Sequence, residues 1–425
     1  MATKDNWKFT QVFGDKSALE SVNDEDVITE LKFDKTGDYI ALGDAAGRLI
    51  MFEQNFAKKH KKGYFEYTYL TEFQSHVKDF DCLKSSDIEE RINCIEWLKP
   101  EGPNLFLLTS NDKTIKLWKI SNKIIKQSEK FEERAESIDT EMTLPKLKMV
   151  EQGFCPSLKR TFPHLHQMYI HSVSMSSNQE NFLSADEIGI HLWNLEAIDK
   201  CFNLIELKSD DYDNITKLVT AARFHPIEDS IFSFSTSEGM INIGDLRINS
   251  KVEHNLIELD NLSTVTKKNF FTDIVASISD IKFTPDGRQI MSRDFLSIKI
   301  WDLAKTDKPV EVINLYEPIK SKMCEIYEKD YIFEKFSIAP SPDSKSFVTG
   351  MFNSKFHIYN RTEEKNIQFD LNFDKKTSSQ IIPKDYFEPI KGKYDYNQRA
   401  LKSDWNPKSN CVAVSCLNCL FFYNM

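Results

Sequence analysis

No apolar run in this chain approaches the roughly 18 residues that a membrane span requires. The polar stretch from Met1 to Glu20 also lacks the core of a signal peptide. A basic surplus is missing too. Lysine and arginine number 55 against 65 aspartates and glutamates, a formal net charge of −10, so the basic stripe that duplex nucleic acid needs is not there. The eight cysteines are scattered; only Cys416 and Cys419 form a CxxC, with Cys411 nearby. Without a second ligand pair, neither a disulfide framework nor a zinc site is expected. The phosphate-cradling GxxxxGKS/T, the metalloprotease HExxH and the hydrolase GxSxG are absent, and no GxGxxG opens a helix pattern. The nine histidines are dispersed. These absences imply a protein that is no enzyme, has no metal or cofactor and meets neither nucleic acid nor membrane. It is expected inside the cell, in the cytoplasm with the nucleus also open to it.

What is present is a soluble globular balance, 40% hydrophobic and 28% charged, whose acidity favours basic partners. It is organised as a repeat of strand, turn, strand, short turn, strand. The clearest copy runs from Ile278 to Leu303. Ile281 and Phe283 alternate with polar neighbours, Thr284-Pro285-Asp286-Gly287 makes a turn, and a third strand closes on Trp301-Asp302. Six more copies start near Ile28, Ile92, Ile170, Val219, Ile332 and Leu401. First-strand anchors are read at Phe33, Trp97, Met175, Phe224, Phe283, Phe336 and Trp405. Closing positions are read at Phe52, Trp118, Trp193, Gly244, Trp301, Tyr359 and Tyr423.

Near-constant units with variable gaps predict an all-β fold, a seven-bladed WD40 β-propeller with insertions between blades, as one domain over 1–425. The segment 7–13, WKFTQVF, alternates suitably for an outer strand that locks the last blade to the chain start. Insertions fall at 54–91, 121–169, 248–277, 304–331 and 362–400, where function is expected to sit. The basic run Lys58-Lys59-His60-Lys61-Lys62 reads as a solvated tip, and most aromatic rings fall on strand anchors as core. His225-Pro226 reads as local turn structure. Asp112, Asp186 and Asp294 each precede a closing Trp by six or seven residues and suit turns whose backbone N–H groups they bond. Glu187 follows Asp186, and since one carboxylate suffices for a turn, the other is free to face a partner.

At the level of whole loops the chain resembles the propeller-type regulatory B subunits of protein phosphatase 2A. The match is carried by Phe73-Gln74-Ser75-His76, Phe80-Asp81, Leu83-Lys84-Ser85 and Ile88-Glu89-Glu90. It continues through Asn111 to Ile120, Leu183-Ser184-Ala185-Asp186, Thr220-Ala221-Ala222, Phe224-His225-Pro226, Ser277 to Asp280 and Arg293-Asp294. The resemblance implies a non-catalytic subunit that docks on a helical-repeat scaffold beside the catalytic subunit and recruits phosphoprotein substrates. An arm of the second blade, by position 121–169, would reach the scaffold, although its sequence departs from the family pattern. Substrate-binding positions implied by the resemblance are Glu187, Asp186, Ile215, Phe80, Asp81 and Lys84. Ala45 stands where the family commonly has a basic residue. Beside this reading, the repeat alone leaves open a WD40 adaptor or substrate receptor in another multiprotein complex.

Overall fold

The computed structural model describes residues 7–14, 23–55, 66–82, 84–128, 147–163, 165–197, 200–207, 217–248, 256–260, 270–315, 317–371, 379–383 and 395–425. Short β-branched and aromatic runs separated by turn residues pair as antiparallel strands. In the fifth unit the strands are Asp280–Phe283, Gln289–Arg293, Ser297–Asp302 and Glu311–Asn314, in spatial order. The first turn is made by Gly287, whose N–H bonds Thr284 O at 2.8 Å with φ +71°. A Cβ there would lie 2.6 Å from His225 Nε2, so glycine is required twice over. His225 Nε2 also lies 2.8 Å from Gly287 O, tying one unit to the next.

Among the described residues, seven such sheets form the blades of a propeller, six with four strands and one with five, beside a separate two-stranded hairpin. The third strand of the fifth blade, Ser297–Asp302, is buried on both faces over its first five residues, because each blade is covered by a neighbour on either side. The core is accordingly divided. One cluster joins Ala221, Ile241 and Leu259 of the fourth blade to Ile281, Ile290 and Trp301 of the fifth, and comparable clusters lie between the other adjacent blades. Full burial of a large apolar side chain contributes about 1.5–3 kcal/mol, so each interface adds a separate share of stability.

The last blade is completed from the other end of the chain. Lys8–Phe13 pairs antiparallel with Cys419–Asn424, and Trp7 meets Trp405 edge-on at 5.3 Å. The Gln11 side chain extends this seam to the first blade. Its Nε2 donates to Tyr67 O at 2.6 Å and its Oε1 accepts from Tyr67 N at 2.9 Å.

Three features depart from the expected frame. In the sixth blade the first strand is Ile338–Pro340, so Pro340, and not Phe336, occupies the anchor position; a proline at the strand end hides the alternation there. That blade also carries a fifth strand, Ser379–Pro383, beside Lys365–Asp370. Short helices, α1 (Phe270–Ala276) and α2 (Met323–Glu328), occupy the connectors before the fifth and sixth blades. No described helix is long and apolar enough to cross a membrane. The basic run 58–62 lies outside the described residues.

Each blade's second-to-third-strand turn and the connectors between blades share one face of the ring, the upper face. The turns after the first and third strands share the lower face.

Candidate functional site

Two carboxylates stand side by side on the upper turn of the third blade, and the fold uses only one of them. Asp186 is 1% exposed. Its Oδ1 accepts from Ile188 N at 2.9 Å and Gly189 N at 2.6 Å, and its Oδ2 from Met168 N at 3.2 Å. His166 Nδ1 lies 3.2 Å from the same Oδ2. The other imidazole nitrogen is 2.6 Å from Ser184 Oγ, which accepts from Trp193 Nε1 at 2.7 Å. A polar relay thus runs from the closing Trp through Ser and His to the turn. Burial would raise the Asp186 carboxyl, but His166 and the backbone N–H groups outweigh it and hold the group well below the usual carboxylate range. Glu187 remains half-buried with its carboxylate outside this relay; its backbone O accepts from Val219 N at 2.8 Å.

The relay pins the connector 165–170, which arrives from the second blade. Its Ile170 N donates to Asp112 O at 2.9 Å, and Asn93 Nδ2 spans Asp112 Oδ1 at 2.9 Å and Ile170 O at 3.0 Å. On the connector's far side stands the upper-face hairpin Asp79–Asp81 with Ser86–Ile88. Phe80 is 51% exposed on it, Asp81 Oδ1 accepts from Lys84 N at 3.2 Å, and Lys84 Nζ donates to Gln167 O at 2.6 Å. Phe80, Asp81 and Lys84 therefore sit on one flank of the connector and Asp186 and Glu187 on the other. Ile215 lies outside the described residues.

Between these flanks and the central channel opens a cleft. Its wall carries six carboxylates, Asp87, Glu89, Asp112, Glu187, Asp330 and Glu334, against the cations Arg91, Lys335 and Lys402. Phe80, Asp81 and Lys84 border it without lining it. Burial pushes the His171 imidazole in the wall down to about 3, so it adds no charge at neutral pH. Tyr169 and Phe333 bring exposed aromatic surface to the same wall. The excess of carboxylates gives this wall a negative potential. Among the described residues no three metal-ligating side chains converge.

No family model matches the chain. Individual relatives do. It is 41% identical over 361 residues to the regulatory B subunit of protein phosphatase PP2A from Candida tropicalis, covering 83% of this chain and 71% of that one. It is 35% identical over 459 residues to the protein of the same name in Schizosaccharomyces pombe, covering 99% and 98%. The 55 kDa regulatory subunit of protein phosphatase PP2A from Drosophila melanogaster is 36% identical over 442 residues, 98% and 87% of the two chains. This chain belongs to the family of protein phosphatase 2A regulatory B subunits. It is accordingly a non-catalytic regulatory subunit, and its propeller associates with the phosphatase holoenzyme.

Among the described residues of the regulatory subunit, the second blade sends a pair of strands out of the ring. Ile115–Ser128 pairs with Leu147–Phe162 along its whole length, whereas only Ile115–Ile120 also pairs with the blade. Residues 121–128 and their partners therefore run on past the blade as a two-stranded hairpin, about 27 Å at ~3.4 Å per residue, with Phe154 near its base still packed against the core between the first two blades. Ile115 starts next to the upper turn at Asn111–Thr114, so the hairpin projects from the lower face. The tip, 129–146, lies outside the described residues.

Several members of the site carry no signal in the sequence. His166 is separated by 20 residues from Asp186 and reaches it only across the fold. Asp330 and Glu334 come from the sixth-blade connector; the sequence reads Glu334 into a unit starting near Ile332, whereas the first strand begins only at Ile338. Lys113, whose Nζ donates to Gln167 O of the connector at 2.7 Å, belongs to one of the loops that carry the family resemblance, and nothing local marks it out within that loop.

Proposed function

We propose that the upper cleft docks basic segments of phosphoproteins while the second-blade hairpin engages a helical-repeat scaffold on the opposite face. A recruited substrate is then held beside the catalytic subunit, and dephosphorylation becomes intramolecular at an effective concentration of about millimolar. The observation that carries this reading is the excess of carboxylates, six against three cations, in a cleft bordered by exposed Phe80, Tyr169 and Phe333. The ~27 Å hairpin supports the scaffold role because its paired strands run on past the blade they start from. We place the protein in the cytoplasm; support comes from the exposed thiols of Cys82 and Cys324, which suit a reducing compartment.

Glu187→Lys combined with Asp87→Lys tests the cleft. Reversal of two charges should weaken pulldown of a basic phosphoprotein at least tenfold at low salt and less at 0.15 M, where the Debye length is about 8 Å. Scaffold and catalytic subunit should be retained. Equal loss of scaffold and substrate, or no loss of either, would place substrate docking elsewhere.

A further inference from the structure

The connector 165–170 is held by more than the relay requires. Beyond Ile170, Met168 and His166, it receives an ammonium from below. Lys113 belongs to the second blade's upper turn, where Asn111 Oδ1 accepts from Lys113 N at 3.1 Å, Thr114 N at 2.8 Å and Thr114 Oγ1 at 2.7 Å. The residue is 8% exposed, and its Nζ donates to Gln167 O at 2.7 Å and Met168 O at 3.1 Å. Among the described residues it makes no ion pair within 4 Å. A lysine is rarely buried without one, and burial together with nearby Lys84 pushes this one below its ordinary pKa. Holding a charge here is costly. The Met168 N–H and both backbone groups of Ile170 are already satisfied without it.

What the ammonium adds is orientation. It turns two successive carbonyls, Gln167 and Met168, toward the second blade. It also lies 5.5 Å from the centre of the Tyr169 ring, supporting an aromatic that is 54% exposed in the cleft wall. Lys84 of the hairpin donates to the same Gln167 carbonyl. The hairpin that carries Phe80 and the connector that carries Tyr169 are therefore fixed to each other through one oxygen, with Lys113 beneath it.

We propose that Lys113 is a positioning residue for substrate selection: it sets Tyr169 and the Phe80 hairpin at the spacing to which a docked segment's apolar side chain fits. This rests on the docking role proposed for the cleft. Lys113 does not touch substrate. It acts through Tyr169, and the partner it selects is a segment with a bulky apolar residue next to its basic ones.

The test uses the reconstituted holoenzyme and a phosphopeptide containing such a segment, compared with one in which the apolar residue is alanine. Lys113→Met, which keeps the length and removes the donors, should raise KM for the first peptide roughly five- to tenfold at unchanged kcat, and should narrow its advantage over the alanine peptide. Lys113→Arg, which restores donors to both carbonyls, should recover part of the loss. Tyr169→Ala leaves the buried ammonium in place and should reproduce the KM effect even if Lys113→Met folds poorly. Glu187→Lys runs in parallel. If Glu187→Lys raises KM but Lys113→Met and Tyr169→Ala leave it within twofold, the positioning role is wrong and the docking cleft stands. If Glu187→Lys also has no effect, the docking role itself fails. A drop in melting temperature with equal loss for both peptides and no rescue by arginine would make Lys113 merely structural and overturn the inference.

Discussion

The third and fifth blades close on the same residues and solve the interior differently. Each has an Asp seven residues before its Trp, Asp186 with Trp193 and Asp294 with Trp301, and both indoles are buried. In the third blade the indole N–H begins a relay through Ser184 and His166 that ends on Asp186 and captures the preceding connector. In the fifth blade the Trp301 N–H has no hydrogen-bond partner among the described residues. Asp294 serves its own turn, accepting from Leu296 N at 2.9 Å and Ser297 Oγ at 2.7 Å, with Lys299 Nζ at 3.6 Å. Its connector is instead the α1 helix, seated by apolar contacts from Phe271, Ile274 and Val275. A polar relay specifies one geometry for a connector, whereas apolar packing tolerates several. The relay is found where the connector borders the cleft.

The largest test of that contrast removes the two aspartates. Asp186→Ala strands a buried imidazole and three backbone N–H groups, and should cost about 3–5 kcal/mol in urea unfolding. It should also release the Met168 amide to hydrogen exchange. Asp294→Ala should confine faster exchange to residues 294–299. Identical exchange patterns would erase the distinction between the two blades.

Acid should separate the same regions with a smaller effect. Burial lowers His171 to about 3 and His191 to about 4, whereas the fifth blade's strands and turns, 280–314, contain no histidine. These imidazoles stay neutral in the folded chain but take up protons near 6.5 when unfolded. Stability is therefore lost as pH falls from about 6.5 toward 4 and levels off below the folded values, at up to about 1.4 kcal/mol per group per pH unit. Exchange measured at pH 5.5 and 7.5 should loosen the third blade more than the fifth. Uniform loosening would point to overall charge instead.

The smallest effect comes from the indoles. Trp193→Phe gives up the bond to Ser184 along with packing, while Trp301→Phe gives up packing and an N–H that bonds nothing. The first should be the more costly by about 1 kcal/mol, read as the difference in midpoint at equal slope. A larger loss for Trp301→Phe would contradict the assignment.

The strands were legible because alternation and turn residues are local. Trp97, Phe224, Phe283 and Trp405 all end first strands where their spacing to the closing residue places them. Pro340 breaks that pattern and draws the anchor reading to Phe336, which lies instead beneath Arg293, 4.6 Å from its ring. That one of two adjacent carboxylates suffices for the turn also follows from local chemistry, with Asp186 filling that place. His166, Lys113 and the acidic residues of the sixth-blade connector were not legible. Their roles depend on contacts across 18 to 55 positions or on neighbouring blades, and no periodicity encodes a contact of that kind.

The pairing of Lys8–Phe13 with Cys419–Asn424 also sets an order in time. Ribosomes add about 5–20 residues per second, so the first strand emerges roughly 20–80 seconds before its partner exists. During that interval six blades can assemble by adding neighbours, but the seventh cannot, and the emerging strand must be kept from pairing with another edge. A chain that lacks Cys419–Asn424 would leave the ring open, with Lys8–Phe13 and the last blade each presenting an unpaired edge.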